Sequence, residues 1–140
     1  MTAVEIADRK GRWRAFGFLF LAALTCAVMV VVRNDPHNDF KQGLWIGVLA
    51  GCMLNLLPIK RWLRPNDAVL RLLEDEGVTA NRRTSCIIGF WAAMAVALLF
   101  AFASHFDPTA GAGEVGQVVA TAGVVCAMLA FGILELRAGR

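Results

Sequence analysis

Charged side chains leave four long gaps along this chain, and apolar residues fill the gaps almost completely. The uncharged stretches cover residues 15–32, 42–59, 84–106 and 115–134, which are 18, 18, 23 and 20 residues long. An α-helix needs roughly 17–25 residues to cross the hydrocarbon core of a bilayer. The pattern therefore predicts four membrane-spanning helices, at about residues 15–33, 42–59, 84–105 and 115–135.

The composition supports this prediction. Of the 140 residues, 58% are hydrophobic and 18% are charged, whereas soluble domains are about half apolar and a quarter charged. Little of the chain remains for a separate soluble domain. We therefore predict an all-α fold, with residues 1–140 forming one integral membrane four-helix bundle.

The longest polar connection lies between the second and third predicted spans. Pro65 precedes a polar start at Asn66 and Asp67, an apolar face follows, and Gly77 is a typical helix stop. This pattern predicts a short amphipathic helix at about residues 66–76. Its leucines would rest on the bilayer surface or on the underside of the bundle.

The basic residues are divided unequally between the two sides of the predicted membrane. Twelve of the 14 Lys and Arg residues lie before span 1, between spans 2 and 3, or after span 4, and only Arg33 and Lys41 lie on the other side. Such an excess marks the cytoplasmic side. We therefore expect a multi-pass protein of the bacterial cytoplasmic (inner) membrane with both termini inside. The net charge of +3 then requires no direct nucleic-acid partner.

Small residues recur at helical spacing in three of the predicted spans. Span 2 carries Gly43, Gly47, Gly51 and Asn55 at every fourth position, which places them on one side of a helix. The corresponding small residues are Ser85, Gly89, Ala93, Ala97 and Ala101 in span 3, and Gly116, Ala120, Gly123, Ala127 and Ala130 in span 4. Small residues allow helix backbones to approach closely in lipid. We interpret these sides as helix-packing surfaces, with a homodimer or larger oligomer as the alternative for span 2.

Asn55 is the polar member of the small-residue side of span 2. A buried amide in a span usually forms a hydrogen bond to a neighbouring helix. The expected partners are backbone carbonyls, Ser85, and the side chains of Arg82 and Arg83. The alternative is that Asn55 orients a bound ligand.

The sequence lacks features that several classes of membrane protein and enzyme require. Proton-coupled transporters carry ionisable residues at membrane depth, and small multidrug transporters depend on a glutamate in the first span, so a proton-driven exporter of that kind is not expected. The cysteines at positions 26, 52, 86 and 126 fall one in each span without a C-x-x-C pair, which predicts unreactive small hydrophobic residues. The sequence contains no nucleophile elbow, phosphate loop or paired-carboxylate motif. We therefore expect a non-enzymatic protein without a cofactor.

Both histidines fall on the predicted outer side, close to carboxylates. His37 lies between Asp35 and Asp39 in "DPHND", and His105 precedes Asp107 in "HFD". Imidazole and carboxylate ligands suit zinc or a similar divalent ion. If the two loops meet, these five residues form a candidate metal or pH-sensing site. The alternative is that they are ordinary turn residues.

The predicted cytoplasmic segment "RLLEDEGVTANRR" combines an acidic run with basic residues. Its charged members are Arg71, Glu74, Asp75, Glu76, Arg82 and Arg83. An interfacial helix followed by topology-setting arginines explains them without a partner. The alternative is a docking surface for a soluble protein.

The segment "EDEGVTANRRTSCIIGFWAAM" resembles part of the uncharacterised small four-helix bacterial inner-membrane proteins of the domain-of-unknown-function type. In those proteins an Asp-Glu-rich turn precedes a basic stretch and an aromatic-rich span. The similarity covers 21 residues and departs from that pattern at Gly77 and Val78, where those proteins tend to be polar. Such proteins accompany helix-turn-helix regulators, so the resemblance implies a transcriptional regulator as partner. No site residue is carried over from it.

These observations lead to one main functional expectation and two alternatives. We expect a non-enzymatic membrane protein that acts as a binding or regulatory module for a cytoplasmic or membrane partner. The first alternative is a small transporter or channel component that works as an oligomer through the Gly43–Asn55 side. The second is a metal or pH sensor on the outer face.

Overall fold

The computed structural model describes residues 3–35, 38–57, 76–104 and 111–138, and for residues 3–10 and 76 it describes the backbone alone. These residues form four α-helices: α1 (Ala3–Arg33), α2 (Asp39–Leu56), α3 (Glu76–Ala103) and α4 (Ala112–Ala138). The prediction of an all-helical fold is confirmed for this part of the chain.

Three of the helices are long and apolar enough to cross a membrane. The apolar segments are Gly11–Arg33 in α1, Gly77–Ala103 in α3 and the whole of α4, with 23, 27 and 27 residues. Within the described residues, α2 does not join this group, because its 18 residues include Asp39, Lys41 and Gln42. The structure therefore supports three of the four predicted spans by length and composition, and the second span at 42–59 corresponds to a shorter, more polar helix.

The helix boundaries differ from the predicted ones mainly at the polar ends. Helix α1 already begins at Ala3, and α3 begins at Glu76. Gly77 was expected to end a separate helix, but it lies in the first turn of α3. Proline blocks helical hydrogen bonding because it has no backbone N–H. The sequence has no proline between Pro65 and Pro108, so a proline does not interrupt the start of α3. The predicted amphipathic helix otherwise lies outside the described residues.

Helix α4 occupies the centre of the arrangement and packs against α1, α2 and α3. Its residues Met128 and Phe131 are fully buried, and they join Phe18 of α1 and Leu49 of α2 in the main apolar core. The rings of Phe18 and Phe131 lie with their centroids 4.5 Å apart and are tilted by 53°. The buried apolar side chains of α4 therefore lie mainly on one side of this helix.

Helix α3 joins α4 in a different way, through small residues. A methyl group added at Gly89 would lie 2.5 Å from the carbonyl oxygen of Gly123 and 2.7 Å from Cβ of Ala127. A methyl group at Gly123 would lie 3.0 Å from Cβ of Ala93. The backbones of α3 and α4 can approach this closely only because these positions lack bulky side chains. The predicted small-residue packing is confirmed for this pair of helices.

Candidate functional site

An apolar groove lies between α2 and α3, with α4 as its floor. Its volume is about 400 Å³, and its walls include Met53 and Leu57 of α2 and Cys86 and Phe90 of α3. The floor of α4 contains the small residues Ala120, Gly123 and Ala127. The groove exists because α3 and α2 pack against different sides of α4. Its lining contains no charged residue.

The groove follows α4 from Gly116 to Ala127. Eleven residues at about 1.5 Å each give a length of about 16 Å, which is roughly half of a 30 Å hydrocarbon core. Cavities of about 300–1,000 Å³ with mainly apolar walls are typical of small-molecule sites. The dimensions therefore suit a slender apolar ligand.

A polar cluster joins three helices at one end of the arrangement. Nη2 of Arg14 donates to Oε2 of Glu135 over 2.6 Å, and Nδ2 of Asn81 lies 3.4 Å from Oε1 of the same carboxylate. Glu135 is 8% exposed. The guanidinium carbon of Arg14 also lies 5.7 Å from the centroid of the Phe131 ring, within the range of a cation–π contact. We call this the Glu135 end, and the opposite end the Gln117 end.

A carboxylate that is nearly removed from water is stabilised only when a cation and hydrogen-bond donors replace the lost hydration. Arg14 supplies the cation, and the Asn81 amide supplies a second donor. Ser85, one turn after Asn81, is fully buried and donates to the Asn81 carbonyl over 2.6 Å. The cluster therefore fixes the relative position of α1, α3 and α4 and has the features of a structural contact.

Further hydrogen bonds connect α2 to its neighbours. Nε1 of Trp45 donates to Oγ1 of Thr121 over 3.0 Å, and near the Gln117 end Nε2 of Gln117 donates to Oε1 of Gln42 over 2.6 Å. These bonds attach the short helix α2 to α4 at two levels. They also hold one wall of the groove in place.

A hydroxyl and a thiol meet between α1 and α2. Oγ1 of Thr25 donates to the carbonyl of Leu21 over 2.7 Å and lies 3.4 Å from Sγ of Cys52. Cys52 is buried, whereas Cys26 and Cys86 are exposed and Cys126 is half-buried. The exposed thiol of Cys86 belongs to the groove wall, so the four cysteines have unlike surroundings.

The structure places the small-residue side of α2 differently from the packing prediction. A methyl group at Gly43, Gly47 or Gly51 would meet no atom within 4 Å in the described part of the chain. Asn55 is exposed, and its Nδ2 donates to the Gly51 carbonyl of its own helix over 2.9 Å. The expected interhelical bond of Asn55 is therefore wrong. Helix α2 packs through Leu49, Cys52 and Leu56, which leaves the glycine side facing outward.

The predicted partner-binding residues are described only in part. Arg82 is half-buried and Arg83 is exposed, both in the second turn of α3. Arg71, Glu74 and Asp75 lie outside the described residues, and for Glu76 only the backbone is described. The structure therefore brings together two basic members of the predicted surface.

Two of the five candidate metal ligands are described. The carboxylate of Asp35 contacts Nζ of Lys41 over 3.0 Å, and Asp39 is exposed as the first residue of α2. The other three, His37, His105 and Asp107, lie outside the described residues. Within the described ranges, no group of three His, Cys, Asp or Glu side chains is placed to hold a metal ion.

The polar cluster at the Glu135 end was missed by the sequence analysis, which gave Glu135 no role beyond the last position of the fourth predicted span at about 115–135. A signal was present, because Arg14 is the last charge before one apolar run and Glu135 is the first charge after another. In antiparallel neighbouring helices such positions lie at the same level. The identity of the neighbouring helices, however, is not given by the sequence.

No family model, curated protein or solved structure shows a significant match to this chain. The resemblance of the segment that begins at Glu74 stays a prediction.

Proposed function

We infer that this chain is a multi-pass membrane protein that acts by binding rather than by catalysis. The distribution of polarity supports the membrane location. Phe20, Trp91 and Leu98 expose 68, 66 and 65% of their surfaces, whereas the polar Thr25, Ser85 and Thr121 are buried. In lipid, apolar side chains face outward and polar side chains form hydrogen bonds between helices.

We place the Glu135 end on the cytoplasmic side of a bacterial inner membrane. The excess of basic residues before α1, between α2 and α3, and after α4 supports this orientation. In this arrangement all four helices cross as one bundle, with α2 as the short member. Asp39 and Lys41 then lie in the outer interfacial region, where charged side chains remain hydrated.

The binding function rests on one observation, the groove of about 400 Å³ between α2 and α3. We propose that its occupant is a single apolar chain. The uncharged lining follows α4 for roughly 16 Å, which suits the length and apolarity of a slender hydrocarbon chain. The groove opens between α2 and α3, and a chain could enter it from the bilayer without crossing water.

The location is tested by fractionation and by reporter fusions. A fluorescent reporter that requires the cytoplasm should be active when fused after Arg140, and a periplasmic enzyme reporter should be active when inserted after Asn38. The protein should stay in the membrane pellet after an alkaline wash. Recovery in the washed supernatant would contradict the membrane proposal.

The groove is tested by lipid retention. The full-length protein, purified in mild detergent, should retain lipid detectable by native mass spectrometry. Ala120→Phe should abolish retention, because a phenyl ring would fill the groove from its floor. Ala23→Phe on the exposed side of α1 is the matched control. Equal retention by both variants would contradict binding in the groove.

A regulatory role towards a cytoplasmic protein is a further part of this proposal. Arg82 and Arg83 follow Asn81 of the Glu135 end in the chain, and the exposed Arg83 would contribute to the partner surface. Co-purification from membranes in mild detergent tests this role, and absence of any stoichiometric soluble partner would count against it.

A second candidate function is a transporter or channel component that works as an oligomer. The outward-facing glycines of α2 favour it, because Gly43 and Gly47 leave backbone open to a second copy. A helix shorter than its bilayer is also accommodated in part by oligomerisation. The oligomeric state of the purified protein tests this alternative.

A further inference from the structure

A pair of amide side chains borders the groove at the Gln117 end. Nε2 of Gln117 donates to Oε1 of Gln42 over 2.6 Å. Gln117 directly follows the floor residue Gly116 and precedes the floor residue Ala120 by three positions, and residues three apart are neighbours on a helix surface. Gln42 precedes the wall residue Leu49 by seven positions. Seven residues are about two helical turns, so Gln42 lies on the same side of α2 as the wall.

The amide pair lies at the boundary between apolar and polar sequence. Gln42 is the first residue of the uncharged stretch 42–59, and Gln117 is the third residue of the stretch 115–134. Ala127, the last floor residue, is the thirteenth of the 20 residues in the second stretch. The floor therefore extends from the outer boundary of the hydrocarbon core to about its middle. Its length of about 16 Å agrees with half of a 30 Å core.

The two walls enclose the other, deeper part of the floor. A methyl group added at Gly89 of the α3 wall would lie 2.7 Å from Cβ of Ala127. On the α2 side, Leu49 is buried in the same apolar cluster as Val124 and Ala127 of the floor. The groove is thus polar at its outer edge and enclosed by apolar side chains near the middle of the membrane. This asymmetry orients a bound amphiphile, with its head at the amide pair and its tail between the walls.

The amide of Gln117 matches an uncharged acceptor. An amide nitrogen carries two hydrogens, and the bond to Gln42 uses one of them. The second hydrogen is a donor at the edge of the hydrocarbon core. In a phospholipid, ester carbonyls join the acyl chains to glycerol at this same depth, in the interfacial region that borders the core. An N–H donor and a carbonyl oxygen form the ordinary hydrogen bond of proteins.

We propose that Gln117 recognises the ester carbonyl of an outer-leaflet lipid whose acyl chain lies in the groove. Nε2 of Gln117 donates to the carbonyl oxygen, and Gln42 holds this amide in position. The acyl chain extends from Gly116 towards Ala127, with its methyl end between the α2 and α3 walls. This inference rests on the proposed membrane location and chain binding, and it adds the chemical class of the ligand and the leaflet that supplies it.

The test compares two phosphatidylcholines that have the same headgroup and the same 18-carbon monounsaturated chains. One has ester linkages, and the other has ether linkages and therefore no carbonyl. The delipidated full-length protein receives an equal mixture, and native mass spectrometry measures the ratio of the two bound lipids. The ester lipid should be preferred about fivefold, the effect of one hydrogen bond of ordinary net strength. Gln117→Leu should bind both lipids equally, with its affinity for the ether lipid unchanged.

The matched control is Asn55→Leu, which removes an exposed amide from the opposite end of α2 and should keep the preference for the ester lipid. Gln117→Leu also removes the bond to Gln42, so Gln117→Glu is the second variant. Its carboxylate accepts a hydrogen bond from the Gln42 amide and keeps α2 attached, but above neutral pH it offers no donor to a carbonyl. This variant should lose the preference as well. Circular dichroism checks the helicity of each variant.

Three outcomes would overturn the proposal. Equal binding of the two lipids by the unmodified protein would show an occupant recognised by its chain alone. Equal losses of both lipids in the Gln117 variants would leave the amide pair with a structural role only. A preference for the ester lipid that survives in both Gln117 variants would exclude this residue as the donor. The proposed chain binding itself fails only if the unmodified protein retains neither lipid, so the two failures are distinguishable.

Discussion

Arg14 and Glu135 form an ion pair of 2.6 Å that connects the early part of α1 to the last turn of α4. The Glu135 side chain is 6% exposed and that of Arg14 is 32% exposed. The pair is therefore enclosed on the carboxylate side and partly hydrated on the cationic side. Asn81 extends the contact to α3, so a single carboxylate organises three helices at one end of the protein.

Replacement of Glu135 by Gln should destabilise the fold. The amide retains the shape of the side chain and an acceptor for Asn81, but Arg14 loses its counter-charge. Because Arg14 is about one-third exposed, we expect a loss of about 1–3 kcal/mol in the free energy of unfolding, below the 3–5 kcal/mol of a fully buried pair. Thermal or denaturant unfolding in detergent measures it. R137Q removes an exposed charge from the same helix end, and an equal effect of both variants would contradict the structural role.

Gly89→Ala should disrupt the contact between α3 and α4. The added methyl group would lie 2.5 Å from a backbone oxygen, which can move only if the helices separate. Overpacking of this kind costs about 1–3 kcal/mol. Gly47→Ala is the control, since its methyl group meets open space in the described residues, and alanine raises helix propensity by up to about 1 kcal/mol. Equal unfolding midpoints for the two variants would refute the close approach.

Thr121→Val should weaken the attachment of α2 to α4. The valine has nearly the same shape but offers no acceptor to Nε1 of Trp45. Interhelical hydrogen bonds in membrane proteins contribute about 0.6 kcal/mol on average and up to about 1.7 kcal/mol, and we expect a loss in this range. A double-mutant cycle with Trp45→Phe isolates the pair. Strictly additive effects would show that the two side chains do not interact.

Gly47→Leu distinguishes the oligomeric alternative from a monomeric function. If a second copy packs on the glycine side of α2, the leucine side chain should prevent the close approach and convert the oligomer to a monomer. Size-exclusion chromatography with light scattering measures the mass of the protein. Phe16→Leu, on the exposed side of α1, is the control. An unmodified chain that is already monomeric would remove this alternative.

The sequence predicted small-residue packing on three helices, and the structure shows it on two. Spacing of glycine and alanine at every fourth residue indicates where a backbone can approach another, because it depends only on helix geometry. It does not indicate which side of α2 turns inward. Trp45 and Cys52 bind neighbouring helices from another side of α2, and this leaves Gly43 and Gly47 facing outward.

The groove could not be predicted from the sequence, although each of its walls could be recognised as apolar. It depends on the gap between α2 and α3, which share α4 as a neighbour but meet it on different sides.

The sequence by itself determined the all-helical class and three apolar segments long enough to cross a membrane, because helix length and apolarity are properties of consecutive residues. Tertiary structure decided the neighbours of each helix. It buried Glu135 against Arg14, turned the glycines of α2 outward and opened the groove. These features join residues far apart in the chain, such as positions 14 and 135, and they depend on how side-chain volumes fit across helices.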